Sequence, residues 1–201
     1  MAEDSVTRLY PVILKVPSHL QQLKGREKVA ALSAVARRAM AASAILSRVD
    51  LPSVLEKDNR GAPCPVGSIH WSLTHKSAWA GAVVAPGPAG IDLETIRPFH
   101  PGLPKKVAME EEWRLADGDR NRLLFRYWTA KEAVLKASGT GLRGLDHCRI
   151  VSVQGPGCTV VRFEKRSWTV YHLYFDGQVA AITAPGGPIR WTILDLPDPP
   201  P

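Results

Sequence analysis

Apolar and polar positions follow two rhythms along the chain, and each rhythm predicts its own kind of element. In residues 25–48, apolar residues, many of them alanine, recur at helical spacing between basic ones, which predicts a long helix. The stretch "RNRLLFRYWTAKEAVLKA", residues 120–137, has the same spacing and predicts a second helix that Gly139 ends. A shorter helical pattern covers "KKVAMEEEWRLA", residues 105–116.

Short apolar or alternating runs between turn residues predict strands. Seven runs have this pattern: "RLYPVILKV", "SIHWSLTH", "SAWAGAVVA", "CRIVSV", "CTVVRFEKR", "WTVYHLYFDGQVAAITA" and "IRWTILDL". The turn-forming "PGPAG", residues 86–90, separates the third run from "IDLE". We therefore predict a hairpin over residues 79–94, with its return strand ending in "IDLE".

Each half of the chain places a helix next to a group of strands, which indicates an α+β fold. No internal sequence repeat is visible between the two halves. With 201 residues, 45% of them hydrophobic and 22% charged, the chain can form one compact unit or two small lobes. The proline-rich end, residues 197–201, is predicted to be disordered.

The composition excludes several classes of protein. No stretch reaches the roughly 18 uninterrupted apolar residues of a membrane span, and the acidic N-terminus lacks the features of a secretory signal. We therefore expect no membrane association and a cytoplasmic location. Three cysteines without metal-knuckle or CxxC spacing predict free thiols. The net charge of +7 favours anionic partners, but no nucleic-acid-binding motif accompanies it, so we expect no nucleic-acid partner.

Two carboxylates stand one residue apart in "GIDLE", residues 90–94. In a strand, Asp92 and Glu94 point to the same face. Such pairs are common on strands that face solvent, so this pair alone does not indicate chemistry. In the helix predicted over residues 120–137, however, Glu132 falls on the apolar face, where an unpaired carboxylate is costly.

The position of Glu132 has two explanations. Lys136, one turn further along the helix, can form a salt bridge with Glu132, or the carboxylate has a catalytic or metal-binding role. Periodicity leaves both explanations open, and Lys131 lies at the edge of the same face. Three carboxylates with neighbouring lysines are the set that Mg²⁺ and a phosphate substrate require together. This set indicates phosphoryl-type transfer.

These motifs occur in an order that is known from one protein family. "GIDLE" followed by "WTAKEAVLK", residues 128–136, resembles the paired signature of the 4′-phosphopantetheinyl transferases. "WSLTHKS", residues 71–77, resembles the histidine-containing strand of that family. In length the chain is similar to the long, surfactin-synthetase-activating type. The resemblance implies a pseudo-dimer of two similar α+β lobes, here residues 1–98 and 99–196, with the active site in the cleft between them.

The resemblance also implies a reaction. Enzymes of this family transfer the 4′-phosphopantetheine group of coenzyme A to a serine hydroxyl of an apo acyl carrier protein or peptidyl carrier domain, and release adenosine 3′,5′-bisphosphate. The resemblance implies dependence on Mg²⁺, with Mn²⁺ as the alternative metal, and a monomeric enzyme. Carrier proteins are acidic around the modified serine, which suits the positive net charge of this chain.

Roles follow from the positions that match the family motifs. The implied metal ligands are three carboxylates: Asp92, Glu94 and Glu132. The implied contacts to coenzyme A come from polar and charged side chains: Arg60, Thr74, His75, Asp92, Lys131 and Lys136. His75 would contact the 3′-phosphate, whereas Lys131 and Lys136 would neutralise phosphate charge. The implied catalytic residues are Glu132, Lys131 and Glu94, and either Glu132 or a metal-bound water near Glu94 would accept the serine proton.

The chain departs from the family pattern in one loop. "RGAP", residues 60–63, has Ala62 where a basic residue is usual. Arg60 or Lys76, the latter in place of a serine of the histidine motif, would restore the charge, and the sequence does not decide between them. Two other functions remain open: a degenerate relative that binds coenzyme A without transfer, and, ranked last, a basic nucleic-acid-binding protein.

Overall fold

Two β-sheets stack face to face, and one long helix covers the outer face of each. The computed structural model describes residues 8–185 and 187–196, so the predicted proline tail lies outside the described residues. The first sheet has the strand order β2-β3-β1-β9 and the second the order β4-β8-β7-β6-β5. All pairs are antiparallel except the parallel pair β1 and β9. The structure thus has the mixed helix and sheet content predicted for an α+β fold.

The bounds of the elements agree with most of the predicted runs. The strands are β1 (Val12–Lys15), β2 (His70–His75), β3 (Trp79–Ala85), β4 (Gly90–Thr95), β5 (Cys148–Gln154), β6 (Cys158–Phe163), β7 (Arg166–Phe175), β8 (Gln178–Thr183) and β9 (Thr192–Asp195). The helices are α1 (Ser18–Gln21), α2 (Gly25–Ser47), α3 (Leu103–Val107), α4 (Glu110–Trp113), α5 (Arg120–Ala137) and an unpredicted 3₁₀ helix (Gly141–His147).

Helix α2 covers the first sheet. Its apolar face packs Leu32, Val35 and Ala39 against Val12 of β1 and Val84 of β3. By length and mean hydropathy alone, α2 would be long and apolar enough to cross a membrane, although Arg37 and Arg38 interrupt its apolar residues. The packing accounts for this apolar composition, because the buried face of α2 lies on the sheet.

Helix α5 covers the second sheet and approaches β4 closely. A Cβ atom at Gly90 would overlap the carbonyl oxygen of Ala133 and lie 2.8 Å from the backbone nitrogen of Ala137. Gly90 therefore permits the close contact between strand and helix. Since side chains alternate along a strand, Asp92 and Glu94 share the α5 side of β4 with Gly90, whereas Ile91 and Leu93 pack between the sheets.

The hairpin predicted over residues 79–94 is wrong. β3 pairs with β1 and β2, whereas β4 pairs with β8, so "PGPAG" leads from the first sheet to the second. Both strands are almost completely buried, because each lies between a helix and the other sheet. Their apolar patterns consequently predict strands without indicating the strands that pair with them.

The sheets also exchange strands across the predicted boundary at residue 98. β4 precedes this boundary and lies in the second sheet, whereas β9 near the C-terminus lies in the first. The division into lobes 1–98 and 99–196 stays a prediction, and the boundary between the sheets does not coincide with it.

The helix predicted over residues 105–116 is two short helices. Between α3 and α4 the backbone of Ala108 and Met109 is extended, with φ angles of −150° and −77°. The Glu112 carboxylate stabilises the new start, because its Oε2 accepts a hydrogen bond of 2.8 Å from the Met109 backbone nitrogen.

Candidate active site

A cleft of about 260 Å³ lies where β2, at the edge of the first sheet, meets β4 and α5. Asp92 and Glu94 enter it from β4, Glu132 from α5 and His75 from the end of β2. The three carboxylates implied as metal ligands are thus brought to one place, although they come from two elements. The side chains of Asp92 and Glu94 are 5% and 11% exposed, so the explanation of a solvent-facing strand pair does not hold.

Asp92 is paired through one of its two oxygens. Its Oδ1 accepts hydrogen bonds from Lys136 Nζ at 2.7 Å and from Thr74 Oγ1 at 3.0 Å. Lys136 Nζ also donates to the carbonyl oxygen of Ile91 at 3.0 Å. Asp92 Oδ2 is buried without a hydrogen-bond partner among the described residues. Such an unsatisfied oxygen is costly and indicates a site for a ligand.

Glu94 forms an ion pair with Lys76, the residue that follows His75. Its Oε1 lies 2.6 Å from Lys76 Nζ and accepts a hydrogen bond of 3.0 Å from Trp128 Nε1. Burial alone would lower the pKa of Lys76, but the hydrogen bond to Glu94 and its charge outweigh burial and raise the pKa. Lys76 therefore stays positively charged and neutralises one carboxylate of the cleft.

Glu132 differs from the other two carboxylates, because it has no ion pair in the described part of the chain. Of the two explanations that periodicity left open, the salt bridge to Lys136 is not formed, since Lys136 pairs with Asp92. Burial, followed by repulsion from Asp92, raises the pKa of Glu132 to about 7, while Lys136 and Lys76 oppose this shift.

His75 lines the same cleft and is partly buried. Burial lowers its pKa, and the charges of Lys136 and Lys76 lower it further. The ring is consequently neutral near pH 7 and offers hydrogen bonds rather than charge. Thr74, also predicted as a contact to coenzyme A, directs its hydroxyl to Asp92 in this structure.

Lys131 does not point into the cleft, which corrects its predicted role in neutralising phosphate charge. Its side chain is 1% exposed, and Nζ lies 2.6 Å from Glu112 Oε1 and 2.8 Å from the carbonyl oxygen of Val107. Successive residues of a helix point about 100° apart, so Lys131 faces the α3–α4 segment while Glu132 faces the cleft. Lys131 therefore holds α5 against α3 and α4.

A second cavity of about 470 Å³ adjoins the cleft and shares Leu73 and Lys136 with it. Three further cationic side chains line this cavity: Lys57, Arg60 and Arg143. Arg60 is thus placed beside the cleft, whereas Lys76, the other candidate to replace the missing charge at Ala62, is bound to Glu94. Lys57 and Arg143 were not predicted, because neither lies in a recognised motif.

The donor set fits a hard divalent cation. In the part of the chain that the structure describes, no group of three acidic, histidine or cysteine side chains is arranged to hold a metal ion as it stands. Two of the three carboxylates instead hold lysines. The fit rests on the unpartnered Asp92 Oδ2 and on the chemistry of three carboxylates, whose oxygens are the ligands that Mg²⁺ prefers.

Comparisons with known proteins relate part of this chain to one family. Residues 88–183, which include β4 and α5, match the family model of the 4′-phosphopantetheinyl transferase superfamily. A 4′-phosphopantetheinyl transferase of Nostoc sp., HetI, is 33% identical over 104 residues, which cover 49% of this chain and 43% of HetI. The transferase psf-1 of Bacillus pumilus is 28% identical over 95 residues, covering 44% and 41%. The transferase gsp of Aneurinibacillus migulanus is 27% identical over 93 residues, covering 44% and 39%. Each match thus spans less than half of the relative's length.

Proposed function

We propose, because residues 88–183 match the family model of the 4′-phosphopantetheinyl transferase superfamily, that the chain transfers the 4′-phosphopantetheine group of coenzyme A to a serine hydroxyl of an apo acyl or peptidyl carrier protein. One observation carries the proposal: three buried or partly buried carboxylates and two lysines converge in a cleft beside a cation-lined cavity. The products are the holo carrier protein and adenosine 3′,5′-bisphosphate.

The larger cavity is the proposed site of the adenosine phosphates. Its volume lies within the range of roughly 300 to 1,000 Å³ that is usual for small-molecule sites. Lys57, Arg60 and Arg143 supply positive charge on its walls. Cations in these positions attract an anionic nucleotide and fix its orientation, even with Ala62 in place of the usual basic residue.

The cleft is the proposed site of the pyrophosphate. Asp92, Glu94 and Glu132 would hold Mg²⁺, or Mn²⁺, whose charge neutralises the pyrophosphate oxygens and thereby stabilises the developing negative charge. Lys136 joins the cleft to the cavity and can donate to a phosphate oxygen from its present position on α5. His75, with its neutral ring, is placed to hydrogen-bond a phosphate group at the rim.

The reaction replaces the phosphoanhydride bond of coenzyme A by a phosphate ester bond to serine. The serine oxygen of the carrier protein attacks the phosphorus that bears the pantetheine arm, and the bond from this phosphorus to the bridging oxygen breaks. The bridging oxygen leaves with adenosine 3′,5′-bisphosphate. Glu132 is the proposed acceptor of the serine proton, because it is the carboxylate of the cleft without an ion pair among the described residues.

The proposal includes a monomeric protein that acts in the cytoplasm on no nucleic acid and at no membrane. A monomer is supported by the origin of the cleft, since β2, β4 and α5 of one chain form it. Sedimentation of the purified protein tests the monomeric state.

The direct test incubates the protein with apo carrier proteins, coenzyme A and Mg²⁺, and follows the mass of the carrier. We expect a gain of one phosphopantetheine group that requires both coenzyme A and the metal. Glu132→Gln and Asp92→Asn should abolish the gain, whereas the matched control Glu111→Gln, an exposed carboxylate outside the cleft, should retain it. Coenzyme A binding without modification of any carrier in the panel would instead indicate a non-catalytic relative.

A further inference from the structure

Lys76 forms an ion pair with Glu94, one of the carboxylates that would bind the metal ion in the proposed reaction. The lysine follows His75 directly after β2, and its Nζ lies 2.6 Å from Glu94 Oε1. Glu94 is 11% exposed at its side chain, so the ion pair neutralises a carboxylate that has little access to water. Without a substrate, the salt bridge therefore competes with any cation that approaches Glu94.

Two differences distinguish Lys76 from Lys136, which forms the ion pair with Asp92 in the same cleft. Lys136 is 28% exposed at its side chain and donates both to Asp92 and to the Ile91 carbonyl oxygen, which fixes it on the wall of the cleft. Lys76 is 39% exposed at its side chain and has Glu94 as its one side-chain acceptor in the part of the chain that the structure describes. The ammonium group of Lys76 is thus the more easily moved.

We propose that Lys76 couples the binding of the divalent cation to the binding of coenzyme A. Phosphate oxygens draw the Lys76 ammonium group away from Glu94, and the freed carboxylate becomes available to the cation. In the ligand-free protein the same salt bridge weakens cation binding. This inference rests on the proposed function, because the cation and coenzyme A are the ligands of that reaction.

Coupling of this kind is reciprocal. If coenzyme A makes the cation bind more tightly by releasing Glu94, the cation makes coenzyme A bind more tightly by the same factor. Direct contact between cation and phosphate also contributes to the coupling. The part due to Lys76 is therefore isolated by the difference between the wild-type protein and a variant that lacks the ammonium group.

The test measures binding of Mn²⁺ by the electron paramagnetic resonance of free Mn²⁺, with and without coenzyme A and with no carrier protein present. For Lys76→Gln without coenzyme A, we expect Mn²⁺ to bind about fivefold more tightly than to the wild-type protein. The factor by which coenzyme A strengthens Mn²⁺ binding should fall by about the same amount. Lys76→Arg, which keeps the positive charge, should behave like the wild-type protein.

Lys165→Gln is the matched control, because it removes one exposed positive charge from a residue that lines neither the cleft nor the adjoining cavity. It should leave Mn²⁺ affinity in the absence of coenzyme A within twofold of the wild-type value. Equal affinities of the wild-type and Lys76→Gln proteins, an equal effect of Lys165→Gln, or no Mn²⁺ binding even with coenzyme A would overturn the inference. The Mn²⁺ experiment measures binding and no transfer. Failure of the inference about Lys76 can therefore be distinguished from failure of the proposed function, which the carrier assay tests.

Discussion

At the scale of single residues, the buried charges fall into two kinds. Glu112 accepts hydrogen bonds from Lys131, from the Met109 backbone nitrogen and from the Ile150 backbone nitrogen at 2.7 Å, so its carboxylate is fully used. The carboxylates of the cleft are less satisfied, since Asp92 Oδ2 has no partner among the described residues and Glu132 has no ion pair there. A satisfied buried pair stabilises one arrangement of helices, whereas an unsatisfied set is typical of a functional site.

Lys131→Met tests the structural role of the satisfied buried pair that Lys131 forms with Glu112. The variant leaves the Glu112 carboxylate, 4% exposed, without its counter-charge, so we expect the free energy of unfolding to fall by about 3 to 5 kcal/mol. Urea unfolding monitored by far-UV circular dichroism measures this loss. In the fraction that remains folded, the affinity for coenzyme A should change little, because Lys131 does not line the cleft.

The double variant Lys131→Met/Glu112→Leu is the control for this prediction. It removes both charges, so we expect it to be more stable than Lys131→Met alone. A Lys131→Met protein of wild-type stability with greatly weakened coenzyme A binding would contradict the structural role. It would return Lys131 to the phosphate contact that the family motif implies.

His172 makes the stability of the fold dependent on pH. The ring is 8% exposed, Nε2 lies 3.0 Å from Thr159 Oγ1, and Nδ1 has no partner among the described residues. Burial, followed by the charge of Arg126, lowers its pKa from 6.5 to about 3. The folded protein therefore keeps His172 neutral where the unfolded chain takes up a proton.

This depressed pKa predicts a loss of stability as the pH falls below 6.5. Between pH 7.5 and 5, one such group lowers the free energy of unfolding by about 2 kcal/mol, because the unfolded state binds the additional proton. We expect His172→Gln, which does not titrate, to lose about 2 kcal/mol less than the wild-type protein over this interval. Urea unfolding at a series of pH values gives the difference, and parallel curves for the two proteins would exclude a buried neutral ring.

At the scale of elements, the contact between β4 and α5 positions the cleft. Gly90→Ala places a methyl group on the backbone of Ala133, so α5 must move away from β4. We expect the free energy of unfolding to fall by about 3 kcal/mol. Transfer should fall about 100-fold in the folded fraction, because Glu132 moves with α5 relative to Asp92. Thermal unfolding and the carrier assay measure these two effects.

Gly81→Ala is the matched control on β3. Its new Cβ atom would lie 3.5 Å from Ile91 Cδ1 and 3.5 Å from the Val12 carbonyl oxygen, which are ordinary contacts. Alanine in a strand is also slightly favoured over glycine, so stability should change by less than about 1 kcal/mol. If both variants lost stability equally, the close approach of α5 at Gly90 would not be the cause.

The sequence predicted the helices and strands better than it predicted which of them pair or pack together. Periodicity indicated α2 and α5, and it placed Glu132 on an apolar face of α5, where the structure has this residue partly buried and lining the cleft. It could not indicate that β4 pairs with β8, because a strand buried on both faces has no polar side to orient it. Nor could it predict the contact of Lys131 with Glu112, because an extended segment at Ala108 and Met109 turns α4 toward α5.

At the scale of the whole molecule, the two sheets depend on each other through exchanged strands. β4 belongs to the N-terminal half of the chain and forms the edge of the second sheet, where it pairs with β8 over six residues. β9 comes from near the C-terminus and completes the first sheet through four residues paired with β1. Neither sheet can therefore form from one half of the chain alone. The cleft, which lies between β2 and β4, requires both sheets.

This exchange predicts that the protein unfolds in one cooperative transition. Tryptophan fluorescence reports on both sheets, because Trp79 lies in the first sheet and Trp168 in the second. We expect fluorescence and far-UV circular dichroism to give the same urea midpoint, and the calorimetric and van't Hoff enthalpies to agree. A fragment of residues 1–98 should remain unfolded by itself, since it lacks β8 as the partner of β4 and β9 as the partner of β1. Two separated transitions, or a fragment 1–98 with a cooperative transition of its own, would instead favour two independent lobes divided at residue 98.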